Sequence, residues 1–339
     1  MPDAAEALKS ITPRKRQQYH QSFMDVLWRC ELQAMYIYKL GIKRPPRAFL
    51  HIGTGVHKSV ELNLGNKIQT GELLKRDDAV ELAGTTFDDC VSAKPIELEP
   101  AEKAEMKGVE QVLGEAKDKT VNLAGLHYDQ AAPNINPKFV EHSFSIDMDV
   151  WLRKRGKQLH ETGDRESDAD AAKLLHSEGR AMNSASRIGI DLVGKRDVVE
   201  EFVTAQGSEF VVRDSKTSGK SPQKTIADLS EQLDTYSLAS IVFDKKLPRH
   251  VVLDYLVQTP KRHDLKYVPL VSTRSMDDIN VFLYRFARAV HRWNTALKTG
   301  DFAPARPTDW WCSENHCAFA DRCPAFKKPK LVQIGSIEE

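Results

Sequence analysis

Residues 211–217 read Val-Val-Arg-Asp-Ser-Lys-Thr, and this apolar run with charges at its end predicts a strand of a central sheet. Side chains two residues apart on a strand share one face, so Asp214 and Lys216 are expected side by side. Hydrolysis of a phosphodiester needs such a pair, because a cation held by the aspartate polarises the phosphate while the ammonium stabilises the anion or positions water. By itself, a D-x-K pair carries little weight, since an exposed strand with a salt bridge has the same pattern.

A second carboxylate lies in the preceding strand. Asp191 falls in the apolar stretch Arg187 to Val193, where a charge is costly unless a cation or hydrogen bonds compensate it. On neighbouring strands, Asp191 and Asp214 would form a two-carboxylate site for Mg²⁺ or Mn²⁺. Asp147 and Asp149, in an adjacent strand, are the rival aspartates.

Four further side chains belong to the predicted site. His57 would supply another metal ligand, with a capping or core histidine as the alternative. Glu141 would serve a second metal or the attacking water, with an ordinary surface glutamate as the alternative. Gln232 and Tyr236 lie one helical turn apart and would hold a DNA phosphate or orient the lysine, although helix-surface and core roles are commoner for such residues.

The cysteines are unevenly spread. Cys312, Cys317 and Cys323 lie close together near one end of the sequence, and Cys30 lies far upstream. Thiolates at such spacing can converge on a soft metal ion or cluster. A distant fourth ligand would join the two ends of the chain, which stabilises most when the enclosed loop is long. Structural Zn²⁺ is the rival of an iron–sulfur cluster, although zinc sites typically use paired C-x2-C knuckles. Cys90 is interpreted as an ordinary buried thiol.

Bulk composition restricts the class of protein. The 339 residues carry a net charge of +1, and the sequence has neither a signal-peptide core nor an apolar run of about 20 residues. We therefore expect no membrane association and a cytoplasmic location, where cysteines stay reduced. Local basic patches that would serve a nucleic acid, or else are solvated faces, occur at residues 39–47, 153–155, 261–263 and 327–330.

Hydrophobic periodicity predicts an α/β core with helices on both sides of the sheet. Predicted helices cover 14–40, a segment from near 54, 99–119, 223–241 and 275–298, the last capped by Ser275 with Asp278. Predicted strands cover 138–147, 187–193, 198–205, 209–215, 251–257 and 265–272. Residues 153–185 are expected to be an excursion between strands with a short helix at 168–180.

The motifs, taken in order, resemble the RecB-like branch of the PD-(D/E)XK nuclease superfamily. Each motif is weak alone, but the set spans residues 22–326. Its members are Gly53 to Glu61 (G-x-x-x-H-x-x-x-E), Ile188 to Asp191 (G-x-(I)-D), Asp214 to Thr217 (D-Y-K-T) and Gln232 to Tyr236 (Q-x-x-x-Y). The glycine before Asp191 is one position nearer than the family's G-x-x-D form has it. Ser215 replaces the usual aromatic or apolar residue, and the terminal cysteines are spaced more widely than C-x2-C.

The resemblance implies a restriction-endonuclease-like core with a mixed central sheet flanked by helices. It implies one RecB-like nuclease domain over 1–339, with a helical part (1–135), a nuclease core (136–300) and a cysteine-containing segment (301–339).

The resemblance also implies roles for individual residues. Metal ligation is implied for His57, Asp191 and Asp214, catalytic support for Lys216, and phosphate-binding or site-ordering roles for Gln232 and Tyr236. With Glu141, which the strand pattern alone suggests, Asp191, Asp214 and Lys216 make up the expected catalytic residues. The four cysteines are similar to those that hold a [4Fe–4S] cluster in AddB-type and CRISPR-associated exonucleases, which implies such a cluster at Cys30, Cys312, Cys317 and Cys323. Trp310 and Trp311 would shield it or stack on a DNA base.

The expected function is a metal-dependent DNA nuclease. We expect an exonuclease that acts on single-stranded DNA or duplex ends in recombination, repair or phage DNA processing, beside partners such as annealing proteins and, if phage-encoded, in the host cytoplasm. The alternatives are a catalytically silent DNA-binding or assembly subunit with the same fold, and a zinc-stapled protein of unrelated function. Oligomeric state, polarity and strand preference stay open at this stage.

Overall fold

The computed structural model describes residues 16–162, 166–186, 189–259, 264–313 and 316–326. The predicted basic patches at 261–263 and 327–330 lie outside the described residues, as do residues 187–188 of one predicted strand. None of the described helices combines the length and apolar character needed to cross a membrane.

Six strands form one mixed sheet in the described part of the chain. They are β1 (Gln17–His20), β2 (Pro137–Asp147), β3 (Ile190–Thr204), β4 (Gly207–Ser218), β5 (His250–Gln258) and β6 (Leu265–Ser272). The long strand β3 pairs with three others: β1 runs parallel to its first residues, β2 runs antiparallel along most of it, and β4 runs antiparallel to its last residues. The sheet continues with β5 parallel to β4 and β6 antiparallel to β5.

Helices cover both faces of this sheet. Those described are α1 (Gln21–Arg29), α2 (Glu31–Ala34), α3 (Ala48–Thr70), α4 (Arg76–Ala93), α5 (Pro100–Ala104), α6 (Val109–Gln130), α7 (Met148–Thr162), α8 (Glu166–Ser186), α9 (Glu231–Phe243) and α10 (Met276–Thr299). A π-helical turn (Met35–Lys39) follows α2, and 3-10 turns occur at Ala132–Asn134, Lys224–Ile226 and Pro324–Phe326.

Two hydrophobic cores result. The larger one joins the sheet to α1, α7, α8, α9 and α10, and the smaller one joins it to α3, α4 and α6. Val199 and Val212 belong to the first core, whereas Val198 and Leu256 belong to the second, so the sheet is buried on both faces. The prediction of a mixed central sheet flanked by helices is therefore confirmed.

Local capping signals place the last long helix. The Ser275 side chain accepts a hydrogen bond from the Asp278 backbone N–H, and the Asp278 carboxylate accepts one from the Ser275 N–H at 2.7 Å. These two hydrogen bonds satisfy the backbone N–H groups of Asp278 and Ser275, which have no carbonyl partner within the helix. The predicted start of this helix is confirmed.

The predicted strands at 187–193 and 198–205 are wrong as separate elements, because β3 runs without a break from Ile190 to Thr204. The polar residues between them suggested a turn. Arg196 is fully buried there and forms an ion pair with Asp244, and Gly194 accommodates the Phe144 ring, which would lie 2.8 Å from a Cβ at that position. Pairing with β2 also continues across this stretch.

Two other predictions need correction. The described residues of 148–186 form two packed helices, α7 and α8, with Leu152, Leu159 and Leu175 in the main core, so this part of the chain contains more helix than the short one expected at 168–180. The predicted helix at 14–40 begins with strand β1, since residues 17–20 pair with the start of β3 and only then does α1 begin.

Residues near the two ends of the described chain contact each other through the backbone. The Leu32 N–H donates to the Ala303 carbonyl at 3.1 Å, and the Ala303 N–H donates to the Glu31 carboxylate at 3.1 Å. Arg292 forms an ion pair with the same glutamate. We call these contacts the end-to-end junction.

Candidate active site

The candidate active site lies where β4 separates from β3. The two strands pair from Thr204–Gly207 to Val198–Arg213, and the next residues on each are Asp197 and Asp214. Beyond this point β4 remains paired with β5, which is its partner from Val211 to Ser218. A pair of carboxylates thus lies side by side at the point where the two strands part.

The structure brings Asp214 and Lys216 together, as the two-residue spacing predicts. The Lys216 Nζ is 2.7 Å from the Asp214 Oδ2, and Asp214 is 1% exposed. Arg213 points away from this pair and contacts Glu200 and Asp254 with its guanidinium. The alternation of a strand therefore separates a structural ion-pair network from the candidate site.

Helix α9 holds the carboxylates and the lysine through two side chains one turn apart. The Gln232 Oε1 accepts a hydrogen bond from Lys216 at 2.7 Å, while its Nε2 donates to the Asp214 Oδ1 at 2.7 Å and to the Tyr236 hydroxyl at 2.8 Å. The Tyr236 hydroxyl lies 3.1 Å from the Asp197 Oδ1 and 3.3 Å from the Asp214 Oδ1. Both residues thus orient charged groups of the site, which agrees with the orienting role among the predicted alternatives.

His57, Glu141 and Asp197 supply ligand atoms that lie within 4.8 Å of one another. The His57 Nδ1 is 3.2 Å from the Asp197 Oδ2. In the part of the chain that the structure describes, no other group of three or more histidine, cysteine or acidic side chains brings its ligand atoms so close to one another. Imidazole and carboxylate ligands of this kind suit a divalent cation.

Helix α3 carries His57 to the site, and Gly55 allows this helix to lie close to α4 and α6. A Cβ on Gly55 would lie 2.7 Å from the Ala83 carbonyl oxygen of α4 and 2.7 Å from the Thr120 side chain of α6. Only a glycine permits this contact without displacing backbone atoms. The helix begins at Ala48, earlier than the predicted start near Thr54.

Glu141 has an unusual backbone conformation. It lies opposite Asp197, between the pairs Val140–Val198 and His142–Arg196, and its φ is 51°. A left-handed conformation is unfavourable for a residue other than glycine, and such strain is concentrated at functional sites. Glu141 also lies 3.2 Å from the Lys195 Nζ.

Burial and mutual repulsion set the protonation of the carboxylates. Burial, followed by the charge of Asp197, raises the pKa of Asp214 to about 7, although Lys216 and His57 act in the opposite direction. Burial also acts to raise the pKa of Asp197, but hydrogen bonding and attraction from His57 outweigh it, so this pKa is lowered. For His57, burial lowers the pKa, yet Asp197 and Asp214 outweigh it and the net shift is upward. Two adjacent buried carboxylates of this kind favour a bound cation.

Asp191 does not join this site, so its predicted neighbourhood with Asp214 is wrong. It lies six positions before Asp197 on β3, paired with Asp147 of β2 and Gln18 of β1. The Arg16 guanidinium contacts Asp191 at 2.7 Å and Asp147 at 2.9 Å. The rival aspartates therefore cluster with Asp191 around an arginine, away from Lys216.

Sequence reasoning missed Asp197, although a signal was present. Gly194-Lys195-Arg196-Asp197 has the G-x-x-D spacing that the segment ending at Asp191 lacks. These residues fall between the predicted strands 187–193 and 198–205, where polar side chains suggest a turn, and this places Asp197 outside the predicted site. The glycine is required because the Phe144 ring packs across it.

The four predicted cysteine ligands lie in one region without forming a tight group. The Cys30 Sγ accepts hydrogen bonds from the Gln33 and Ala305 N–H groups at 3.4 and 3.3 Å, and the Cys312 Sγ is 3.9 Å from the Ala305 carbonyl oxygen. Burial, and then the charges of Cys30, Cys323 and Cys317, raise the pKa of Cys312. No three of these four described cysteines have sulfurs all within 4.8 Å of one another.

The donor set of the candidate site fits a hard divalent cation. The Asp197 Oδ2 and Asp214 Oδ2 are buried, and their close partners are the His57 Nδ1 at 3.2 Å and the Lys216 Nζ at 2.7 Å. Glu141, His57 and Lys216 line a cavity of about 450 Å³, and the two aspartates lie directly against His57 and Lys216. Oxygen-rich ligand sets with one imidazole suit Mg²⁺ or Mn²⁺.

Comparison with known proteins agrees with this geometry. Residues 21–324 match the family model of the PD-(D/E)XK nuclease superfamily, which covers most of the chain and every side chain of the candidate site. A search of curated protein sequences returned no match.

Proposed function

The chain belongs to the PD-(D/E)XK nuclease superfamily, and from this premise we propose that it is a metal-dependent deoxyribonuclease whose catalytic residues are Asp197, Asp214, Lys216 and Glu141. The observation that carries the proposal is the convergence of Asp197, Asp214 and Lys216 beside His57. Asp197 takes the place that the sequence alone assigned to Asp191.

The metal ligands that we propose are Asp197, Asp214, Glu141 and His57. A divalent cation held there would polarise the scissile phosphate and lower the pKa of a water molecule. The cation would also stabilise the ionised form of Asp214, whose pKa is raised to about 7 by burial and then by the charge of Asp197. The hydroxyl of Tyr236, between the two aspartates, fixes their spacing before the substrate arrives.

Lys216 is proposed to stabilise the negative charge that develops on the phosphate. Its ammonium is held by Asp214 and by the Gln232 carbonyl, so it is oriented without rearrangement. Its pKa is raised, because attraction from Asp214 and Asp197 outweighs the burial that would lower it. The lysine therefore acts as a fixed cation and not as a base.

A [4Fe–4S] cluster at Cys30, Cys312, Cys317 and Cys323 remains part of the proposal. Structural Zn²⁺ is the alternative, and no three of these described cysteines have sulfurs within 4.8 Å of one another. A cluster tolerates wider spacing, since each thiolate binds a different iron atom. Backbone N–H groups directed at Cys30 also suit a cluster, whose sulfurs commonly accept such bonds.

The DNA substrate and exonuclease action are the finer part of the proposal, resting on the resemblance to RecB-like exonucleases. Such an enzyme would act in the cytoplasm on DNA during recombination, repair or phage DNA processing, beside proteins that anneal strands. Degradation of end-free and end-blocked DNA distinguishes exonuclease from endonuclease action.

The central test compares Lys216→Ala with wild type on labelled single- and double-stranded DNA in Mn²⁺. Lys138→Ala is the matched control, because Lys138 is also a strand lysine in an ion pair, with Glu201 at 2.6 Å. We expect Lys216→Ala to lose at least about 100-fold in cleavage rate and Lys138→Ala to retain it. Wild-type protein that binds DNA without cleaving it, in Mn²⁺ or Mg²⁺, would instead identify a catalytically silent DNA-binding subunit.

A further inference from the structure

Two large aromatic side chains are exposed on one side of the candidate active site. Trp310 is 70% exposed and Phe49 is 54% exposed. Both line a second cavity of about 750 Å³, together with Trp311, His316, Arg29 and Arg47. Exposed aromatic groups around a cavity mark a binding surface more often than isolated apolar residues do.

Phe49 connects this cavity to the catalytic one. It lines both the cavity with Trp310 and the cavity that contains His57 and Lys216. Leu50, 51% exposed, extends the apolar surface on the catalytic side. Phe49 is thus common to the two cavities, and we call the surface from Trp310 across Phe49 to the catalytic cavity the Phe49–Trp310 groove.

Ring contacts fix the orientation of Trp310 despite its exposure. The Trp311 ring lies at 79° to it with centroids 5.7 Å apart, and the His316 ring lies at 89° with centroids 5.2 Å apart. Edge-on neighbours restrict the indole while leaving much of its surface open. Little conformational entropy is then lost when a flat ligand stacks on it.

The charged side chains of the groove favour an anionic ligand. Arg29 and Arg47 line it with the aromatic rings, and Glu99 also lines it, 3.9 Å from Arg47, so positive charge predominates. A guanidinium has five N–H donors and can bind a phosphate oxygen in addition to a protein partner. Aromatic rings interleaved with arginines are the combination that binds unpaired nucleotides.

We propose that the Phe49–Trp310 groove binds a single-stranded segment of nucleic acid and leads it to Lys216. Bases within a duplex are already stacked on one another, so two separate aromatic platforms favour unpaired bases. Arg29 and Arg47 bind the phosphates between them. This inference deepens the proposed nuclease function by specifying the strand state of the substrate, and it rests on that function for the direction of the path.

Binding to oligonucleotides tests the groove independently of cleavage. The probes are fluorescent oligothymidylate and an oligomer of equal length whose nucleotides are all abasic, in Ca²⁺ so that binding is measured apart from turnover. We expect Trp310→Ala and Phe49→Ala each to weaken binding of oligothymidylate about 5- to 150-fold, the range for loss of one stacked base. Neither substitution should change binding of the abasic oligomer by more than about twofold.

Phe202→Ala is the matched control, because Phe202 is another exposed phenylalanine, 41% exposed near the β3–β4 hairpin. It should bind both oligomers like wild type, and melting temperatures check that all variants fold. If Trp310→Ala and Phe49→Ala lose affinity equally for both oligomers, or lose none for oligothymidylate, the proposed binding of bases in the groove is wrong. Wild type that prefers duplex DNA over oligothymidylate would overturn it as well.

The outcomes separate the two proposals. Cleavage that depends on Lys216, without base-dependent binding at Trp310 and Phe49, would retain the nuclease and reject the groove. Base-dependent binding in a wild-type protein that cleaves nothing would retain the groove and reject the nuclease.

Discussion

Strand β3 carries two acidic clusters that differ in how their charge is compensated. At its start, Asp191, Asp147 and Asp149 surround the guanidinium of Arg16. Six positions further, Asp197 adjoins Asp214, and their buried Oδ2 atoms face His57 and Lys216 at 3.2 and 2.7 Å. The first cluster is centred on a guanidinium, whereas the second lies beside a histidine, a lysine and the cavity that these two side chains line.

The comparison shows that a cluster of carboxylates does not by itself indicate a metal site. The second cluster is distinguished by His57 and Glu141, whose ligand atoms lie within 4.8 Å of Asp197 and of each other. The Arg16 guanidinium donates to both Asp191 and the Ile190 carbonyl, so it holds β1 against β3. Lys216 lies against Asp214, but burial and Asp197 still raise the pKa of Asp214 to about 7. We therefore assign a structural role to the first cluster and a catalytic role to the second.

The largest expected effect separates the two aspartates of β3. Asp197→Asn should lower the cleavage rate at least about 100-fold, because it removes a proposed metal ligand that no neighbouring side chain replaces. Asp191→Asn should keep activity within a few-fold, since Asp191 contacts Arg16 and not the site. Initial rates on labelled DNA in Mn²⁺ measure both. The reverse order of activities would restore the original assignment to Asp191.

Removal of Arg16 is expected to affect stability and not catalysis. Arg16→Met leaves three carboxylates together without their guanidinium, which should lower the free energy of unfolding by about 2 kcal/mol. The loss is smaller than for a fully buried ion pair, because Arg16 is 35% exposed. Thermal unfolding should show a melting temperature lower by roughly 4 °C. Arg306, 85% exposed, provides the control as Arg306→Met. An unchanged melting temperature together with lost cleavage would assign the first cluster to the active site.

Metal binding should depend on pH through Asp214. Because burial raises the pKa of Asp214 to about 7, a proton competes with the cation below that pH. Apparent Mn²⁺ affinity, measured from thermal stabilisation, should fall about tenfold between pH 8 and pH 6 as the ionised fraction falls. Asp191→Asn should retain this dependence. An affinity that is independent of pH would exclude Asp214 as a ligand.

The smallest effect concerns the metal-free protein. The folded-state pKa of Asp214, about 7, exceeds the value near 3.9 of an unfolded aspartate, so stability from this group is lost as pH rises between these values. Asp214→Asn should therefore stabilise the chain at pH 8 in a chelator by about 1 kcal/mol, and should not do so near pH 4. Thermal melts at both pH values provide the measurement. Equal destabilisation at both would indicate that the carboxylate is needed for folding.

Short-range patterns were sufficient for much of the fold and part of the site. The capping of α10 and the shared face of Asp214 and Lys216 depend on residues a few positions apart, so the sequence predicted both. The contact of Gln232 with Lys216 depends on how α9 packs, so the one-turn spacing of Gln232 and Tyr236 left a phosphate-binding role and a lysine-orienting role as alternatives.

Long-range pairing accounts for what was missed. Whether Asp191 or Asp197 lies beside Asp214 depends on the register of β3 against β4, and both aspartates follow plausible strand segments. The polar residues of 194–197 suggest a turn unless one knows that Asp244 compensates Arg196 from a helix far along the chain. Likewise, nothing local to residues 17–20 reveals that β3 provides a partner for them.

The end-to-end junction has a consequence for synthesis of the protein. Residues 31 and 32 bond to Ala303, so this segment finds its partner only after the ribosome has added about 270 further residues. Strand β1 waits for a shorter interval, until the start of β3 has been made. A nascent chain must therefore carry β1 unpaired until β3 is present and residues 31 and 32 without their partner until Ala303 is present, and these segments stay accessible to chaperones and proteases over those intervals.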